Sequence, residues 1–251
     1  VDFPLASRAA SDLRNLLSSP STNSELLALA ADPTVVDGTV LVTLDQTRGR
    51  GRLDRSWVAP AGSALAVSVL VRGGLTRAGA SWLPLAAALA MVEALDPLVA
   101  GRSGIKWPND VLLDGDKVCG VLVDVVPGAT DVVVGAGLNL RQSKAELPVP
   151  SATSLAASGV EVDDRLIDGV LERYLTALSR LTSARGLATV ARGIADRSAT
   201  IGREVRIELP GGRTVSGTAT RLDDEGRLEL RLDDGSVEVF AAGDVVHARR
   251  V

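Results

Sequence analysis

The stretch that decides the reading is Gln46-Thr47-Arg48-Gly49-Arg50-Gly51-Arg52-Leu53-Asp54-Arg55-Ser56-Trp57. Four arginines fall within eight residues, with glycines between the first three. Two apolar alternating stretches flank it, around 39–45 and 63–71, so it reads as a loop joining two strands. Glycines let a loop turn its backbone N–H groups toward a ligand, and guanidiniums grip phosphate or carboxylate oxygens in a fork. Trp57 adds a planar face for stacking. The same residues also suit a solvated basic loop or an Arg/Gly segment that binds RNA.

Four further segments are spaced along the chain. Gly104-Ile105-Lys106-Trp107-Pro108-Asn109-Asp110 places a lysine at a strand end, because Pro108 stops regular structure and Asn-Asp is turn chemistry. Lysine is rare, with three residues (Lys106, Lys117 and Lys144) against 24 arginines, which singles out the positions that carry it. Residues 111–125 read as a hairpin turning at Asp114-Gly115, whose second strand, Lys117-Val118-Cys119-Gly120-Val121-Leu122-Val123-Asp124, holds a glycine that marks a close approach. Gly135-Ala136-Gly137-Leu138-Asn139 ends another apolar strand, and its terminal amide suits a purine edge; it is not a full dinucleotide fingerprint. Ser21-Thr22-Asn23-Ser24-Glu25 opens a helix running to about Ala31, where Thr22 and Glu25 match a capping box and the hydroxyls and amide suit a small polar ring.

Other helices are predicted over Ala80–Leu95, 165–184 and 186–197, the last on Leu187, Val190, Ala191 and Ile194. From Ile201 the pattern changes to short alternating strands between tight turns, about five in fifty residues, which suits a small barrel. The expected division is residues 1–199 and 200–251.

Composition narrows the classes. The 251 residues are 46% hydrophobic and 23% charged, which is globular. The net charge of -4 disfavours a broad nucleic-acid surface. One cysteine, Cys119, excludes an intrachain disulfide, and one histidine, His247, excludes a two-histidine metal site. The apolar run Leu83–Leu95 is short of the ~20 residues that span a bilayer. Residues 1–20 lack signal-peptide order, so a cytoplasmic protein with no membrane partner is expected.

Together these segments resemble the biotin protein ligases. QTRGRGRLDRSW matches that family's Gln…GRGR..R.W loop, and GIKWPNDVLL its KWPND signature. KVCGVLVD, GAGLNL and STNSELL match three further segments in the same order. Pro20 stands where the family usually has an acidic residue, and Arg48 where a small residue is commoner.

The resemblance implies an α+β fold: a class II synthetase-like catalytic domain with a mixed sheet and helices, then a small SH3-like barrel. It implies that biotin and MgATP give biotinyl-5′-adenylate and pyrophosphate, and that biotin then passes to one lysine of a biotin carboxyl carrier domain of an acyl-CoA carboxylase. Lys106 and Arg52 would be catalytic. Ser21, Thr22, Asn23, Gln46, Gly49, Arg50, Gly120 and Lys106 would bind biotin. Arg52, Arg55, Trp57, Asn109 and Asn139 would bind the nucleotide, while the magnesium ligands stay unassigned. The stretch before residue 20 has no room for a winged helix, so no specific DNA binding is expected. The Arg/Gly loop is expected to order on ligand binding. A lipoate-type ligase of the same fold and a non-catalytic RNA-binding module are the alternatives.

Overall fold

The computed structural model describes residues 1–53, 55–74, 82–209 and 211–247, with the side chains of residues 184, 185, 187, 188 and 247 left aside. The predicted helix start at residues 80–81, Asp54 of the loop and the side chain of Leu187 lie outside the described set.

Eight consecutive buried residues make β5 (Ala64–Val71) the middle of the molecule. Its odd positions Leu65, Val67, Val69 and Val71 join the main core, and Leu70 joins a smaller cluster on the other face. A strand buried on both sides needs a cover on each. Around it, β1 (Asp12–Asn15), β2 (Thr39–Thr43), β6 (Ser103–Lys106), β7 (Asp110–Leu113), β8 (Asp116–Val125) and β9 (Val132–Asn139) complete a seven-stranded sheet in the order β1-β2-β5-β9-β8-β7-β6. The β1–β2 pair is parallel and every other neighbouring pair is antiparallel.

The main cover is α3 (Trp82–Val99), α4 (Asp164–Leu181) and α5 (Ala184–Arg197), whose apolar faces share the larger core cluster. Asp163 caps α4 by accepting the Leu166 N–H at 2.7 Å. Helix α3 runs four residues beyond its predicted end. By length and composition alone it could cross a membrane, but twelve of its eighteen residues are buried in this core. The short α1 (Ala6–Ala9) is held by Asp168 of α4, which accepts the Leu5 and Ala6 N–H groups. On the opposite face α2 (Thr22–Ala30) packs Leu26 and Ala30 over Leu41, Leu70 and Val133.

Strand β1 has no periodic apolar signal in Asp-Leu-Arg-Asn. Pairing with β2 makes it a strand, and the path continues through Leu16 N–H to Val42 O (2.8 Å) and the Ser19–Gln46 bridge into α2. Tertiary context overrides local propensity here.

The Arg/Gly loop contributes only a two-residue ladder, β3 (Gly49–Arg50) against β4 (Ser56–Trp57). Beyond the helices, β10 (Glu204–Glu208), β11 (Thr214–Leu222), β12 (Leu228–Arg231), β13 (Val237–Phe240) and β14 (Asp244–His247) form a five-stranded antiparallel sheet in the order β13-β12-β11-β10-β14. It is the small C-terminal β-unit that the alternating sequence predicts. Two tryptophans tie it to the elements before it, Trp82 at the start of α3 and Trp107 just after β6: Trp107 Nε1 donates to Gly226 O (3.2 Å, buried) and Trp82 Nε1 to Asp224 O (2.9 Å).

Candidate active site

Directly opposed residues in neighbouring strands share one face of a sheet. The register therefore sets out a row: Thr43 of β2, Ala66 of β5, Gly137 of β9, Gly120 of β8, Asp110 of β7 and Lys106 of β6. A second row holds Leu41, Ser68, Gly135 and Leu122. The centre of the first row has almost no side chain, which leaves a bare floor. Trp57 lies on it: a Cβ at Gly137 would stand 2.7 Å from its ring, and one at Gly120 3.1 Å. This is the physical reason for glycine at both places. A cleft with a cavity volume of about 140 Å³ opens over this floor.

One wall is the start of α2. The expected capping box of Thr22 and Glu25 does not form. Ser21 is the N-cap and accepts the Ser24 N–H at 3.4 Å, while Glu25 accepts from Ser19 Oγ at 3.0 Å. Thr22 and Asn23 are thus free to turn inward. Gln46 Oε1 accepts the Thr22 N–H (3.0 Å) and hydroxyl (3.2 Å). Ser68 Oγ stands 2.7 Å from Thr22 Oγ1 and 2.5 Å from Asn23 Oδ1. Asn23 Nδ2 donates to Leu122 O (3.3 Å) and Asp124 (3.0 Å). Gly135 lies beneath, where any side chain would collide with Asn23. The network is buried and neutral except for Asp124 at its edge.

The other wall is cationic. Arg50 reaches Asp124 (3.4 Å) and Ser24 Oγ (3.3 Å). Arg52 donates to Asn109 Oδ1 (3.1 Å), and Asn109 is itself fixed through Nδ2 to Val121 O (2.6 Å). Arg55 pairs with Asp244 of β14. Lys117 pairs with Asp110 at 2.6 Å, its Nζ 5.7 Å from the Trp57 ring centre. Burial pulls the Arg52 guanidinium below its ordinary pKa, opposed by Asp244 and Asp110. Burial likewise lowers Lys106, with Lys117 adding to the effect and Asp110 opposing it.

The geometry sorts the expected residues. Ser21, Thr22, Asn23, Gln46, Arg50, Arg52, Arg55, Trp57, Asn109 and Gly120 line the cleft. Gly49 lines an adjoining cleft behind the loop. Its role is close approach, because a Cβ there would meet Trp57 O at 2.5 Å and Gln46 Nε2 at 2.6 Å. Asn139 does not line the cleft. Its Nδ2 donates to Thr153 O (2.9 Å) and its Oδ1 accepts from Gln142 (3.1 Å), so the amide expected to meet a purine is used up in the fold. Lys106, expected at the reacting centre, stands at the far end of the floor row and does not line the cleft, whereas Lys117 does. Sequence reasoning missed Lys117, Asp110, Asp124, Ser68 and Asp244 as site residues. For Lys117 the rarity of lysine was the available signal. Cys119 is buried, which pushes its thiol up to about 12 and leaves it inert. Among the described residues no cluster of three or more metal-ligating side chains occurs.

A bare floor, a prepaid polar wall and an arginine loop define a site for a ligand that is neutral at one end and anionic at the other. The sequence comparisons agree. Residues 16–139 match the biotin/lipoate A/B protein ligase family, and residues 200–248 match the biotin protein ligase C-terminal domain. A biotin--[acetyl-CoA-carboxylase] ligase of Mycobacterium tuberculosis is 44% identical over 235 residues, covering 91% of this chain and 86% of its own. The Paracoccus denitrificans protein of the same name is 34% identical, over 89% of this chain and 98% of its own. A crystallised biotin protein ligase from Aquifex aeolicus in complex with biotin and ATP superposes with a TM-score of 0.77 at 26% identity, over 96% of this chain and 100% of its own. The chain belongs to the biotin protein ligase family.

Proposed function

We propose that the cleft joins biotin to AMP and then delivers biotin to a lysine of a carrier domain. The observation that carries this reading is the contrast between its two walls. Hydroxyls and amides at the start of α2 suit an uncharged ureido ring, and they are held in place before any ligand arrives. The loop and Lys117 suit a carboxylate and a triphosphate. Those two anions repel, so bringing oxygen and phosphorus together needs positive charge and exclusion of water.

In the first half-reaction a biotin carboxylate oxygen attacks the α-phosphorus and pyrophosphate leaves. In the second, the carrier lysine amine attacks the acyl carbon, AMP leaves and the amine gives up a proton. Lys117 is the cation best placed for the reacting phosphate, since it lines the cleft beside the floor and exchanges Asp110 for an incoming anion. Arg50, Arg52 and Arg55 take the remaining phosphate and carboxylate oxygens, and Trp57 closes over the ring system. Asn109 acts through Arg52. Lys106 contributes field from behind the row. Magnesium enters as part of the nucleotide, with phosphates and water as most of its ligands. The partner is the biotin carboxyl carrier domain of an acyl-CoA carboxylase, in the cytoplasm. Residues 1–199 form the catalytic domain, and 200–251 the C-terminal one.

The test is direct. The chain is incubated with biotin and MgATP, biotinyl-adenylate and pyrophosphate are measured, and then a carrier domain is added and its mass followed. A gain of one biotin on the carrier is expected. Adenylate formed from lipoate in preference to biotin would replace this reading with a lipoate ligase.

A further inference from the structure

Asp244 enters the cleft from the second sheet. It begins β14 directly after Gly243, where a side chain would stand 2.5 Å from Ile207 Cγ2. That close approach carries the Gly243-Asp244 turn to the arginine loop. Arg52 donates to Gly243 O (3.4 Å), and Arg55 donates to the Asp244 carboxylate. The Asp244 side chain is 21% exposed and lines the cleft, while Arg55 is 63% exposed and has no other side-chain partner among the described residues. A carboxylate thus sits among Arg50, Arg52, Arg55 and Lys117, which line the same cleft. Like charges in one site exclude each other, so this carboxylate and a triphosphate compete for the same guanidinium.

We propose that Asp244 is a built-in counter-anion. In the empty site it holds Arg55, and with it the arginine loop, against the C-terminal sheet; on nucleotide binding it releases Arg55 to the phosphates. The inference rests on reading the cleft as a nucleotide site. It gives the C-terminal domain a task in the binding step although it supplies no reacting group. The ion pair must break before a phosphate can take Arg55, and this cost to nucleotide affinity outweighs what the pre-ordering of the loop returns.

The experiment uses the full chain and Asp244→Asn, which keeps the side-chain size and removes the charge. Amide exchange of residues 49–57 is measured without ligand. Binding of α,β-methylene-ATP is measured in the presence of biotin. Asp244→Asn is expected to exchange several-fold faster in the loop and to bind the analogue roughly two- to fivefold more tightly, the scale of a partly exposed ion pair. Unchanged exchange, or analogue binding that is equal or weaker, overturns the proposal. If the parent chain binds no nucleotide, the reading of the cleft fails. The exchange measurement still decides whether Asp244 holds the loop.

Discussion

The two walls of the cleft solve opposite problems. At the start of α2, Thr22, Asn23, Gln46 and Ser68 are 46 residues apart or less and already satisfy one another. Their dipoles are fixed by the fold, so an uncharged ring meets a finished surface and little ordering is left to do. The arginine loop has a two-residue ladder for structure, and its guanidiniums lean on carboxylates or carbonyls drawn from other elements: Asp124 of β8, Asn109 before β7, Asp244 of β14. These partners are provisional, because each can be exchanged for a ligand oxygen. Neutral recognition is built into the fold, while ionic recognition is held by substitutes until substrate arrives.

The sharpest way to break this contrast is on the cationic side. Lys117→Ala removes the one lysine that lines the cleft and leaves Asp110 without its partner. Loss of a donor at a reacting phosphate costs about 10²–10³ in rate. Pyrophosphate release should fall by that order, while biotin binding in the absence of ATP falls far less. Lys106→Ala is expected to fall less than Lys117→Ala in the same assay. The reverse order would return the reacting-centre role to Lys106.

The neutral side should answer differently. Ser68→Ala deletes the hydroxyl that stands between Thr22 and Asn23, leaving buried polar atoms short of a partner. Such a loss costs roughly 1–3 kcal/mol, about thirtyfold in biotin affinity at the middle of the range. Calorimetric titration with biotin alone reads it. The rate of adenylate formation at saturating biotin should change little, since the hydroxyl touches no reacting atom. A fall in that rate with biotin affinity intact would show that the two walls are not separate devices.

How much of this was legible follows the same division. Glycines 120 and 137 sit opposite each other in β8 and β9; Gly120 stood out in the sequence because a glycine inside an apolar strand marks a close approach, whereas Gly137 read only as part of a strand ending in small residues. The loop declared itself by composition. Ser68 could have been found as the lone hydroxyl in Ala64–Val71, where every position is buried. Asp124 and Asp110 were quoted within their motifs, yet nothing local tells a carboxylate which arginine or lysine it will meet. Asp244 could not be read at all: it is 189 residues from Arg55, on a different sheet. Asn139 misled because an amide at a strand end looks the same whether it faces a ligand or caps its own loop. Strand β1 escaped because its partner, and not its own residues, makes it a strand.

The smallest effect concerns Lys106, whose ammonium makes no hydrogen bond or ion pair among the described residues. Burial holds its pKa below the ordinary 10.5. Below the lowered folded pKa the ammonium is charged in both the folded and unfolded chain, so the cost of burying it is fully present. Between the lowered folded pKa and 10.5 the unfolded chain holds the proton and the folded chain does not. The unfolded state then binds more protons, and stability contributed at this site rises with pH. Lys106→Met should therefore be slightly more stable than the parent near pH 7, and the gap should narrow as pH climbs toward 10.5. A gap that stays constant would remove burial of the charge as its cause. Adding a nucleotide analogue at neutral pH should shrink the gap as well, because a bound polyphosphate adds negative charge to that of Asp110 and Asp244. If the analogue stabilises Lys106→Met as much as the parent, Lys106 lends the phosphates nothing, and Arg50, Arg52, Arg55 and Lys117 carry the anionic half of the site alone.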